Sequence, residues 1–314
     1  MRFLIGQPFC GHAGMVEAWA VRHGALLIEP PRADELLSGS ARWRAPWPEA
    51  GQPWALPQLE RCFLRHANGL TLVRRLLEDV ASGRAGSGLI GCDSWAWAYL
   101  QRVWPLPQPE LLTLKAFGGA DLARLFKQLA PPSRRGRLLF RNARTGRESL
   151  VEDAESEAVS QEIEQLAAHC RGNVGIARRY WRESLRAEPE SAEAELADDE
   201  ARDPRDEVIW VRSMLDEGAL PIEGNEDQVL LLHALLLHNG LAEDLLPEVL
   251  PLPRHSCVSI AQRLRGLGLL EQADGRWQVD ALAYAMVRRL LRGRDHLVDP
   301  FWAGETKTGP LPCP

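Results

Sequence analysis

The chain has 314 residues, 45% of them hydrophobic and 25% charged, with a formal net charge of -6 and a pI near 5.8. These are globular values with room for two or three small domains, so wholesale disorder is excluded. The acidic balance excludes a protein that coats nucleic acid with its whole surface, while leaving room for a local basic patch.

Phe3 to Ile5 reads as a short buried strand, followed by a Gly-rich turn and a helix from Ala13 to His23 with Met15, Val16, Trp19 and Ala20 on one side, stopped by Gly24. Residues 25–28 form a second strand, closed by Glu29-Pro30-Pro31. A loop rich in Pro and Trp (Trp43, Trp47 and Trp54 among Pro46, Pro48, Pro53 and Pro57) offers either an exposed protein contact or a roof for the core, and a helix carrying Leu72, Val73, Leu76 and Leu77 leads out of it. Residues 88–93 are a third buried strand ending in Asp93, with a helix over 95–103, a fourth strand over 111–117, a helix over 122–129 and a fifth strand over 138–141. Strands alternating with helices predict a parallel α/β sheet.

From Glu152 the pattern turns helical, with Val159, Ile163 and Leu166 at helical spacing and a second segment, Ile176 to Leu185, after Gly172-Asn173. Residues 187–207 carry a net eight negative charges and read as a solvated stretch between domains. The remaining chain predicts helices over 230–238, 242–250 and 256–267, then a hairpin of 268–271 with 276–279 about Asp274-Gly275, the order of a winged helix. A terminal helix follows over 281–291. The domain reading is therefore a core at 1–150, a helical lid with an acidic linker at 151–207, a winged helix at 208–302 and a frayed tail at 303–314.

Six scattered cysteines (Cys10, Cys62, Cys92, Cys170, Cys257, Cys313) show no CxxC pair and no Cys/His ligand spacing, and His233 and His238 are five apart, which fits no metal pair on one helical face. Metal ligation is not expected. Unpaired thiols imply a reducing, cytoplasmic setting, and no apolar run approaches a membrane span.

The opening stretch carries the chemistry. A phosphate-binding loop needs GxxxxGK[ST] between a buried strand and a helix, so that backbone N–H groups and the helix dipole hold phosphate oxygens. Gly6 and Gly11 have that spacing and context, but the next two positions are His12 and Ala13. The fixed charge that would reach the outer phosphates and the hydroxyl that would hold Mg²⁺ are both missing. Asp93 in LIGCDSW stands for the metal-holding acid at the end of the third strand, and the position that would hold a water-activating glutamate is Ser94.

On these residues the chain resembles AAA+ or STAND-type P-loop ATPases, over roughly residues 2 to 300, as a degenerate member. The resemblance implies a P-loop NTPase-like parallel core, a helical lid and a C-terminal winged helix. It implies a lid arginine at the nucleotide, for which HCRGNVGIARRYW offers Arg178, then Arg179, and a polar sensor at a strand end, either Asn142 or Thr113. Only Met1 and Arg2 precede the first strand, where the family has residues that enclose adenine. ATP and Mg²⁺ binding are expected to be weakened, with no other cofactor. The expectation is a pseudo-ATPase working through a protein partner, with an active P-loop ATPase one candidate. Residues 254–294 carry a net five positive charges, so the alternative is a DNA-binding regulator using Arg263, Arg265 and Arg276. A weak ATPase completed by a partner is the third reading.

Overall fold

The computed structural model describes residues 1–44, 47, 51–132, 136–150, 160–191, 194, 205–212 and 225–299. Most of the acidic stretch and the tail expected at 303–314 lie outside them.

The N-terminal unit is built on a five-stranded parallel sheet in the order β2-β3-β4-β1-β5. Its strands are β1 (Arg2–Gly6), β2 (Leu26–Leu27), β3 (Trp54–Leu56), β4 (Gly88–Asp93) and β5 (Glu110–Thr113). Strand alternation sends Phe3, Ile5, Leu56, Ile90 and Cys92 to one face and Leu4, Ala55 and Leu89 to the other. The second face is covered by Val16 and Ala20 of α1 (His12–His23), while the first joins the main core with α3 (Thr71–Ala81) and α4 (Ser94–Val103), beyond the short α2 (Ala33–Ser38). Met15, expected on the inner side of α1, is half exposed.

Three sequence expectations are overturned by the structure. The described tryptophans of the Pro/Trp segment form a roof rather than an exposed contact: Trp43 and Trp54 are buried, Trp47 packs between them, and the Trp43 and Trp54 indole N–H groups donate to the Glu29 and Ala85 carbonyls. The segment also contains β3, which makes LIGCD the fourth strand in chain order. The expected fifth strand, β6 (Leu138–Asn142), leaves the core sheet. It pairs in parallel with β8 (Glu207–Val211), which in turn pairs antiparallel with β7 (Leu185–Arg186) in a separate three-stranded sheet.

The helical layer comprises α5 (Gly119–Leu129), α6 (Gln161–His169) and α7 (Val174–Ser184), closed around Phe126 stacked on Trp181 at 4.6 Å. Asn173 caps α7 by accepting from the Gly175 and Ile176 N–H groups.

The C-terminal unit centres on α8 (Glu226–Leu237), apolar on all sides and buried from Leu231 through Leu237. Around it stand α9 (Leu246–Val249), α10 (Arg254–Gly266), α11 (Tyr284–Gly293) and an antiparallel sheet ordered β10-β11-β9, from β9 (Leu241–Ala242), β10 (Leu270–Ala273) and β11 (Arg276–Val279). Asp274 and Gly275 both have positive φ, 51° and 71°, the requirement of the tight hairpin turn between β10 and β11. The core of this unit is continuous with that of the parallel sheet. No described helix is long and apolar enough to cross a membrane.

Candidate functional site

The buried apolar strand β1 ends at Gly6, the chain turns over residues 7–11, and α1 begins at His12 after Gly11, whose φ of 83° suits glycine. Gly6 lies opposite Asp93 in the sheet register, so the turn and Asp93 share the carboxyl edge of adjacent strands. The flanking strands of β1 are β4 and β5, which places the turn at a topological switch point, where open α/β sheets bind ligands. From β3 the chain enters a 3-10 turn, Leu59–Arg61, which carries Glu60 to the same place.

Glu60 is fully buried and held on three sides: it accepts from the Asp93 N–H (3.0 Å) and the Asn239 side-chain amide (3.3 Å), and His12 Nε2 lies 3.4 Å from its Oε1, at ion-pair distance. The other ring nitrogen of His12, Nδ1, is 3.6 Å from Cys10 Sγ. The Cys10 and His12 side chains fill the crook of the turn, since a Cβ built on Gly6 would collide with Cys10 Sγ and His12.

Burial opposes a charge on His12, yet the nearby Cys10 and Glu60 side chains outweigh burial and raise it to about 11. Burial likewise pushes Glu60 upward, but His12 overrides it and holds the carboxyl below its ordinary range. Asp93 goes the other way: burial, then the Glu60 carboxylate, push it well above the ordinary carboxylate range. These shifts favour a charged His12 against the Glu60 carboxylate and push Asp93 toward its neutral form. Asp93 Oδ1 caps α4 at the Trp95 N–H (2.9 Å), and its buried Oδ2 has no hydrogen-bond partner among the described residues.

Gly6, Gly11, His12, Ala13, Asp93 and Ser94 are thus brought together, with one correction. Asp93 ends β4, so the acid following the third strand is Glu60, and the reading of Ser94 as the glutamate position loses its basis. Ser94 is the first residue of α4, with its hydroxyl donating to Asp299 (2.8 Å). Asn142 lies away from the site, in the second sheet, where its side chain bonds Glu162 and the Arg144 and Thr145 N–H groups. Thr113 is exposed at the end of β5. Arg178 is exposed on α7, and Arg179 faces Glu183 and Asp280. Arg263 and Arg265 are exposed on α10 and make no ion pair among the described residues. Arg276 instead turns inward, its guanidinium donating to the Gly240 carbonyl (2.5 Å), and burial with Arg61 nearby lowers it to about 10.

Sequence reasoning missed Cys10, Glu60 and Asn239. The available signal for Glu60 was an acid four residues after the apolar Trp54-Ala55-Leu56, and Pro53 and Pro57 disguised that strand as loop.

Both neighbouring layers close over the turn. The Asn173 amide donates to the Pro8 carbonyl (2.7 Å), and Gly175 meets the Phe9 carbonyl so closely that a Cβ there would collide. From the C-terminal unit, Tyr284 packs edge-on to Phe9 and accepts from the Trp95 indole (3.0 Å). A small crevice lies beside the turn, with Pro8, Phe9, Asp93 and Asn239 in its lining.

No protein-family model matches the chain, and no curated protein matches it. Among solved structures it is similar to the RuvB Holliday junction branch migration motor of Thermotoga maritima at 13% identity and a TM-score of 0.34, over 95% of this chain and 87% of that one. Two single-residue mutants of that motor match at the same 13% identity, coverage of 95% and 87%, and TM-scores of 0.34 and 0.33. A likeness this distant identifies neither activity nor partner.

Proposed function

We propose that this chain is a degenerate P-loop ATPase-like protein of the AAA+ type, with a C-terminal winged helix, that turns over no nucleotide and acts through contact with a protein partner. The observation that carries the reading is the His12–Glu60 pair. Where a phosphate loop presents a free lysine, this turn presents a cation already committed to a buried carboxylate, and the Cys10 side chain fills the space beside Gly6. An entering triphosphate would have to break that pair and displace Asn173 and Tyr284 from the turn. The acid after the third strand is retained as Glu60, but its charge is spent on His12.

Contact with protein is supported by large apolar side chains left exposed on the core unit: Met15 and Val21 on α1, and Leu111 and Leu112 on the sheet-edge strand β5. An active P-loop ATPase from the same cell is the partner of choice.

Titration of ATP with Mg²⁺, followed by calorimetry and phosphate release, tests the reading. No binding tighter than about 1 mM is expected, and no turnover. Micromolar affinity or metal-dependent hydrolysis by the purified chain overturns it. The paired change His12→Lys with Ala13→Thr is expected to create nucleotide binding.

A second reading, a regulator that touches DNA phosphates, is favoured by one observation: Arg263 and Arg265 stand exposed on α10. It is weakened by the inward turn of Arg276. Duplex binding that fades with salt and with Arg263→Ala and Arg265→Ala would establish it.

A further inference from the structure

The side chains that fill the turn are not inert. Cys10 Sγ, His12 and Glu60 form a continuous series: sulfur 3.6 Å from Nδ1 and Nε2 3.4 Å from the carboxylate. This is a sulfur nucleophile beside an imidazole that holds a proton, with the imidazole oriented by a third group. Glu60 is itself fixed by the Asp93 N–H and Asn239, so the imidazole is held against a rigid carboxylate. The uncapped, positive end of α1 begins two residues after Cys10. Of the five described cysteines, Cys10 alone is not buried.

We propose that Cys10, His12 and Glu60 constitute a thiol site in which Cys10 attacks small disulfides, His12 carries its proton and Glu60 orients His12. The closed surroundings restrict the reagent: Asn173 and Gly175 pack on Pro8 and Phe9, and Tyr284 packs on Phe9, so the partly buried Cys10 sulfur is open to a low-molecular-weight disulfide and not to a polypeptide substrate. In the exchange, Cys10 attacks one sulfur of the reagent as thiolate, beside the His12 imidazolium. A new S–S bond forms as the reagent's own S–S bond breaks, and the leaving sulfur takes the proton from Nδ1. Cys10 is oxidised to a mixed disulfide and one half of the reagent is reduced to a free thiol. The charged and titratable groups facing the pair are Glu60 and, beyond it, Asp93 and Arg276.

The mixed disulfide would also force the turn open, because Cys10 Sγ occupies the space against Gly6. The proposal does not depend on the loss of nucleotide turnover, and each can fail without the other.

The test uses 4,4′-dithiodipyridine at pH 6, where an ordinary thiol is only about 0.3% ionised. Release of thiopyridone is followed by absorbance, and the modified residue is located by peptide mass mapping. Cys10 is expected to react first and at least about tenfold faster than free cysteine under the same conditions. Glu60→Gln and His12→Asn are each expected to slow Cys10 by about tenfold or more, and Cys10→Ser to abolish the fast phase. A wild-type Cys10 that reacts no faster than free cysteine, or later than a buried cysteine, overturns the proposal. That comparison holds whether or not the variants fold.

Discussion

The Ser94 hydroxyl donates a 2.8 Å hydrogen bond to Asp299, joining the start of α4 to the far end of the described chain. Asp299 is buried and also receives the Arg288 guanidinium, at 2.8 Å, so this contact places a charge pair between the parallel sheet's helix and the C-terminal unit. Removing one partner of a buried pair strands the other charge. Asp299→Ala is therefore expected to destabilise the protein by about 3–5 kcal/mol in denaturant unfolding, and Ser94→Ala by only about 1 kcal/mol. Equal effects of the two substitutions would show that Asp299 acts chiefly as a hydroxyl partner.

Acidification should loosen the same junction through its histidines. His233 and His238 are buried on α8 and at its end, facing Arg65 from the core, with Arg276 beside His238 and His296 beside His233. Burial first, then Arg65, lowers His233 to about 4 and His238 to about 3. The unfolded chain binds protons on these rings below about pH 6.5 and the folded chain does not, so stability falls as pH drops from 6.5 toward 4. His12 has the opposite sign: raised to about 11, its contribution is complete below 6.5 and is lost as pH rises through 11. His238→Gln keeps an acceptor for the Arg65 N–H and removes one proton uptake. It should shrink the loss of unfolding free energy between pH 6.5 and 5 by roughly 2 kcal/mol. An unchanged pH slope would place the acid lability elsewhere.

What the sequence disclosed follows from how locally each feature is determined. The strand–turn–helix at residues 2–23 and the Asp274-Gly275 hairpin are written in adjacent residues, through buried apolar runs and positive-φ turn chemistry, and both were legible. The three-residue strand Trp54–Leu56 was not, because its stability comes from neighbours β2 and β4 on either side while Pro53 and Pro57 supply a loop signature. That omission moved the expected acid from Glu60 to Asp93. The departure of β6 from the core sheet was equally hidden, since its partner β8 begins at the end of an acidic stretch some 65 residues later. Asn239 could not be found from sequence at all: as a polar residue ending an apolar helix it reads as a stop signal, and only the packing of α8 over the turn brings it to Glu60.

Close approach of α7 to the turn depends on Gly175. An added Cβ would strike the Phe9 backbone carbonyl, which is fixed by Asn173 on the neighbouring Pro8. Alanine has the better helix propensity, worth up to about 1 kcal/mol in its favour. The collision with backbone cannot be relieved by a rotamer change, so Gly175→Ala is nonetheless expected to lower stability, by about 1–3 kcal/mol. Thermal unfolding measures it. A stabilised variant would mean that α7 yields from the turn without loss.

The three arginines assigned from sequence to one DNA-contacting surface are expected to separate by experiment. Arg276 bonds the Gly240 carbonyl, and its buried Nε has no partner among the described residues. Truncating it leaves that carbonyl without the donor, while Arg61 loses a like-charged neighbour. The first effect dominates, because a hydrogen bond to a charged group outweighs a repulsion shared with Glu60 nearby. Arg276→Ala should cost about 1–3 kcal/mol in denaturant unfolding. Arg263→Ala and Arg265→Ala touch only solvent-exposed positions of α10 and should stay within about 0.5 kcal/mol of the parent. If Arg276→Ala proves as mild as the other two, its guanidinium contributes nothing to the junction, and a role in phosphate contact for all three regains ground.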